Sequence, residues 1–160
     1  MAIKVGEKLP DATFNTMSPE GPKPMTTADV FGGKKVVLFA VPGAFTPTCH
    51  NTHLPGFIQM AGDMKAKGID TIACTAVNDI FVLSAWAKQT GAEGKILFLA
   101  DGSADFAKKI GLDLDLSARG LGIRSRRYSM VIEDGVVKSL NLEEGPTVDK
   151  SSAATVCGML

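Results

Sequence analysis

A cysteine placed where a strand should end and a helix should begin constrains this chain more than any other feature. The run Val36-Val37-Leu38-Phe39-Ala40-Val41 is apolar throughout and reads as a buried strand. Pro42 and Gly43 break it, and Pro47 suits the first turn of a helix, where a missing N–H leaves no bond unmade. Cys49 then falls in that first turn. Free backbone N–H groups and the positive end of the helix dipole favour a thiolate there. The expected chemistry is nucleophilic sulfur.

The 160 residues, 45% of them apolar, suit a single globular domain spanning residues 1–160. Formal charge is zero, which argues against a nucleic-acid partner or attraction to an anionic membrane. The first eight residues lack an apolar core of signal-peptide length, and no later run approaches a membrane span, so the expected location is cytoplasmic. Cys49, Cys74 and Cys157 are odd in number and widely spaced, which speaks against a disulfide scaffold or a zinc ribbon. Reduced thiols are expected.

Along the chain, 18–24 is rich in breakers and reads as a surface loop between short extended segments. Thr27 is a candidate cap for a short helix ending at Gly32-Gly33. The Cys49 helix is expected from about Thr48 toward Lys67, with Pro55 kinking it near Asn51 and Thr52. Ile69 to Val77 reads as a second strand, capped by Asn78-Asp79 into a helix reaching Thr90. Ile96 to Leu99 reads as a third, followed by a helix capped by Asp101 or Ser103. Tyr128 to Glu133, Asp134-Gly135 and Val136 to Leu142 form a predicted hairpin, and Ser151 or Ser152 caps a last helix. Strands alternating with helices and ending in a hairpin imply an α/β fold, a central mixed sheet flanked by helices.

Several side chains near Cys49 invite chemistry. Thr46, three residues earlier, can face the sulfur or cap the helix; Pro42 terminates the strand and can shield the pocket from water. Cys49, His50 and His53 suggest a metal, but adjacent helical residues diverge by about 100° and a fourth ligand is absent. A cysteine hydrolase with His53 as base lacks an orienting carboxylate. Cys74 reads as a core residue and Cys157 as part of a last helix whose end could fray. Residue types alone do not choose among Arg119, Arg124, Arg126 and Arg127 as a partner for the sulfur.

The segment PGAFTPTCHNTHLPGF, residues 42–57, resembles the active-site segment of the peroxiredoxins, in particular their type II or five-like subfamily. Further similar strings run through Thr75-Ala76-Val77-Asn78-Asp79, Leu99-Ala100-Asp101-Gly102-Ser103 and Leu121 to Ser129, so the resemblance covers nearly the whole chain. It implies a thioredoxin-like fold and a thiol peroxidase acting on hydrogen peroxide and small alkyl hydroperoxides. By the same resemblance Cys49, Thr46, Arg127 and Pro42 carry catalysis, Arg124 assists, and His53 supports. No cofactor is implied. Some relatives carry a resolving cysteine before the last helix, but Gly145 to Ser152 has none. A one-cysteine cycle follows, resolved by glutathione with glutaredoxin or by thioredoxin. A homodimer is implied as well. The rival is a redox sensor, which oxidises once where an enzyme cycles.

Overall fold

The computed structural model describes residues 1–160. Seven strands form one sheet, in the order β2 (Gly21–Thr26), β1 (Thr13–Ser18), β5 (Leu97–Ala100), β4 (Thr71–Ala76), β3 (Lys35–Ala40), β8 (Tyr128–Glu133) and β9 (Val136–Leu142). Its centre is parallel, with β3 (Lys35–Ala40) beside β4 (Thr71–Ala76) and β4 beside β5 (Leu97–Ala100). The flanks are antiparallel: β8 (Tyr128–Glu133) pairs with β3, β9 (Val136–Leu142) with β8, and the hairpin of β1 (Thr13–Ser18) and β2 (Gly21–Thr26) adds through β1 to β5.

Successive side chains of β3 enter different cores, which is why the strand is apolar at every position from Val36 to Ala40. Val37 and Phe39 join the layer containing α2 (Leu54–Ala66), α3 (Ile80–Thr90) and α5 (Ala153–Gly158). Val36, Leu38 and Ala40 join Phe14, Phe31 and Phe106 on the other face, under α1 (Thr27–Phe31) and α4 (Asp105–Lys109). The expected mixed sheet flanked by helices is therefore present.

Some local expectations are corrected. The breaker-rich 18–24 is largely strand: β2 carries Pro22 and Pro24, which an edge strand tolerates because its outer N–H row needs no partner. Thr26, not Thr27, caps α1 through a reciprocal pair with Asp29. Asp101 feeds the first turn of α4, accepting from the amides of Phe106 and Ala107 at 3.0 and 2.9 Å, although Ala104 occupies the cap position. β6 (Asp113–Leu116) and β7 (Gly122–Ser125) pair as a small separate antiparallel ribbon that no apolar run in the sequence marks. Asp134 and Gly135 turn the last hairpin with φ of 49° and 77°, as the Asp-Gly pair predicts. The opening of β9 is covered by the N-terminal segment, where Gly6 N–H donates to the Val137 carbonyl and Val137 N–H to that of Glu7.

The largest departure lies at the cysteine helix. Instead of one α-helix with a proline kink, Cys49–His53 forms a π turn, closed by Leu54 N–H donating to the Cys49 carbonyl, and α2 follows with Pro55 in its first turn. The wide turn answers the missing proline N–H and the ring's crowding of the carbonyl four residues back. Wide turns of this kind often mark functional positions.

Candidate active site

Sheet register assembles the site. Ala40, the last residue of β3, pairs with Tyr128, the first of β8, so the residue before Tyr128 stands beside the chain entering the Pro42 loop. That residue is Arg127. It is 7% exposed, and its Nη2 donates to Cys49 Sγ at 3.0 Å, while Cys49 has no exposed surface. Of the candidate arginines, Arg127 is the one in contact with the sulfur. Arg126 reaches instead to the Glu143 carbonyl at 3.4 Å.

His53, one π turn beyond Cys49, takes the other arm of the guanidinium, with Arg127 Nη1 2.9 Å from Nδ1. Its Nε2 lies 3.0 Å from the Ser151 carbonyl. A carbonyl can only accept and a guanidinium can only donate, so the proton sits on Nε2 and the ring is neutral. Burial pushes His53 down to about 4, and the Arg127 charge adds to the fall; Ser151 and Glu143 oppose it. With Arg127 between them, Cys49 and His53 do not form a hydrolase pair.

Thr46 is half-buried and its hydroxyl donates to the Gly43 carbonyl at 2.7 Å. The expected capping bond is not made, since the side chain turns backward. Its lone pairs remain available as acceptors. The Pro42 carbonyl accepts from Arg124 Nη1 at 3.2 Å. A Cβ at Gly43 would stand 2.6 Å from the same nitrogen, so a side chain there would push the Arg124 guanidinium off this contact. Arg124 thus braces the loop without touching the sulfur.

Sequence reasoning passed over an aromatic lip. Phe45 adopts a left-handed φ of 65° and stays 43% exposed, and its ring stacks on His50 at 5.9 Å. Trp86 Nε1 donates to His50 Nδ1 at 3.0 Å. The non-glycine left-handed residue is strained, and it lies in the loop that delivers Cys49. Nothing in the sequence pattern joins Trp86 to His50. Both His50 Nδ1 and the two His53 nitrogens already have protein partners in the candidate metal cluster, and no group of three or more His, Cys, Asp or Glu is arranged to hold an ion.

The other cysteines have different surroundings. Cys74 sits opposite Phe39 in the centre of the sheet, and burial pushes its thiol well above the usual value. Cys157 is 4% exposed on α5, with its carbonyl taken by Lys67 Nζ at 2.9 Å.

A thiol gripped by a buried guanidinium on a sheet of this topology is the mark of a thioredoxin-like redox protein that works through sulfur. The redoxin family profile matches residues 4–157. Peroxiredoxin-2E, chloroplastic, from Arabidopsis thaliana is 51% identical over 95% of this chain and 67% of its own length. Peroxiredoxin-2C from Oryza sativa subsp. japonica is 46% identical over 96% of both chains. The reduced Prx3 of Vibrio vulnificus in complex with hydrogen peroxide superposes with a TM-score of 0.95, at 48% identity over 98% of each chain. This chain belongs to the peroxiredoxin family, in its type II branch, and is a thiol peroxidase. The expectation of a cytoplasmic location gains no support from a chloroplastic relative. No helix is long and apolar enough to cross a membrane.

Proposed function

We propose that Cys49 is the peroxide-attacking thiolate, that Arg127, Thr46 and Pro42 form the rest of the machinery, and that the cycle uses one catalytic cysteine. The observation that carries this reading is the 3.0 Å contact from Arg127 Nη2 to Cys49 Sγ. A guanidinium stays charged and offers donors in a fixed plane, so it favours the thiolate and then the charge that spreads onto oxygen. Arg127 Nε is also buried and without a protein partner, a donor free for a peroxide oxygen. Thr46, whose own proton is held by Gly43, accepts the peroxide O–H.

In the reaction a sulfur lone pair attacks the outer peroxide oxygen, an S–O bond forms, and the O–O bond breaks. The remaining oxygen leaves with the electron pair and takes a proton as water or alcohol; sulfur is oxidised by two electrons to the sulfenic acid. The full burial of Cys49 favours hydrogen peroxide and small alkyl hydroperoxides over bulky ones.

Return to the thiol is assigned to an external reductant, either glutathione with glutaredoxin or thioredoxin. Cys74 lies inside the sheet, Cys157 is buried on α5, and 145–152 has no cysteine. A homodimer fits the exposed Phe45 and Phe81, which follow the ends of β3 and β4, and Leu121, whose carbonyl shares the Arg124 side chain with that of Pro42. Stoichiometric peroxide should leave a Cys49 sulfenic acid that dimedone traps and that glutathione converts to a mixed disulfide, as read by mass spectrometry. A dominant Cys49–Cys157 disulfide, with thioredoxin-linked turnover lost in Cys157→Ser, would replace the one-cysteine cycle.

A further inference from the structure

Glu143 follows β9, and the chemistry above gives its side chain no task. Yet it is a buried carboxylate, 5% exposed, with no cationic partner. Its Oε2 accepts from Asp149 N–H at 2.7 Å, Ser151 N–H at 2.8 Å and the Ser151 hydroxyl at 2.7 Å. Burial pushes this carboxyl up, but the donors from Ser151 and Asp149 outweigh it and hold the group below its usual range. All three bonds go to one short loop before α5. Residues 144–147 leading into that loop are exposed.

The loop ends on the carbonyl that faces His53. Glu143 also acts from its main chain, donating its N–H to the Arg127 carbonyl at 3.0 Å. One residue therefore holds the backbone that carries Arg127 and the acceptor that selects the His53 tautomer. If the Ser151 carbonyl moved away, the imidazole proton could shift to Nδ1. Two N–H groups would then face each other, and Arg127 would lose the partner that turns its other arm toward sulfur.

We propose that Glu143 is a positioning residue for peroxide attack: its carboxylate clasps the 149–151 loop so that Ser151 fixes the His53 tautomer and His53 aims Arg127 at Cys49. The assignment rests on Cys49 being the nucleophile. It reaches the sulfur through the sequence Glu143, Ser151, His53, Arg127, each joined to the next by a hydrogen bond of 3.0 Å or less.

Glu143→Gln keeps the shape but turns an amide toward loop donors. Single-turnover peroxide reduction should slow about tenfold, as expected when reacting groups are slightly misplaced. The pH profile of Cys49 alkylation by iodoacetamide, assigned by mass spectrometry, should move to higher pH while Cys74 stays unmodified, reporting an intact sheet. In a His53→Gln background the same change should cause no further loss, since both act through one path. Wild-type kinetics in Glu143→Gln, or slowing with an unmoved alkylation profile and additive losses in the double variant, would overturn the proposal. Ser151→Ala removes only the hydroxyl and keeps the amide and carbonyl. It should shift rate and profile in the same direction by less, and it carries the test if Glu143→Gln does not fold. Cys49→Ser is run in parallel: persistent turnover there removes the nucleophile assignment, whereas its loss beside an unaffected Glu143→Gln removes only the role of Glu143.

Discussion

Cys49 and Cys74 are both fully buried and both belong to the same hydrophobic core, yet their electrostatic surroundings differ sharply. Cys74 lies mid-strand among apolar neighbours, and desolvation is the largest influence on its thiol, which is pushed far up. Cys49 lies at the opening of a helix with a guanidinium nitrogen 3.0 Å from its sulfur. Burial alone quiets a thiol, whereas a charged donor and free helical N–H groups favour the thiolate.

The sharpest way to break this contrast is substitution of the two sulfurs. Cys49→Ser should abolish peroxide reduction and Cys74→Ser should leave it nearly unchanged in a coupled turnover assay. Strong activity in the first would end the assignment of Cys49. Next in size is removal of the charge that separates them. Arg127→Met should slow peroxide attack roughly 10²-fold, corresponding to ~3 kcal/mol of transition-state stabilisation, in stopped-flow kinetics. A near-normal rate there, with Arg124→Met crippled, would move the role to the neighbouring arginine.

The smallest effect concerns the residue that holds Arg127 in place. His53 titrates near 4 in the folded chain against 6.5 for an ordinary histidine, so the unfolded chain binds more protons between those values. Its neutral form costs no stability above about pH 6.5, and stability is lost as pH falls from there toward 4, about 2 kcal/mol by pH 5. Denaturant unfolding of wild type and His53→Gln at pH 7 and 5 should show that slope in wild type and its loss in the variant. An equal slope in both would mean that Arg127 does not require a neutral imidazole.

What the sequence disclosed follows the range of the signals. β3, β8, β9 and the Asp134-Gly135 turn are encoded locally, by apolar runs and by two residues that accept positive φ. The β1–β2 hairpin was hidden because Pro22 and Pro24 signal a loop unless the strand is known to lie at an edge. Cys49 was legible from its place between a broken strand and a helix. Arg127 was not singled out by residue type, because its position depends on pairing Ala40 with Tyr128, residues far apart in sequence. The bonds from His53 to Ser151 and from Trp86 to His50 likewise exist only once distant segments have packed.

The two borders of the sheet bear on how the folded chain resists aggregation. Along β2, Pro22 and Pro24 occupy alternate positions and so remove two donors from one row, and β9 begins beneath the N-terminal strap from Gly6 to Leu9. A foreign strand docking at either side finds a ladder with missing rungs or one already occupied. Cross-β stacking and fibre growth are thereby obstructed during the crowded moments of synthesis and refolding.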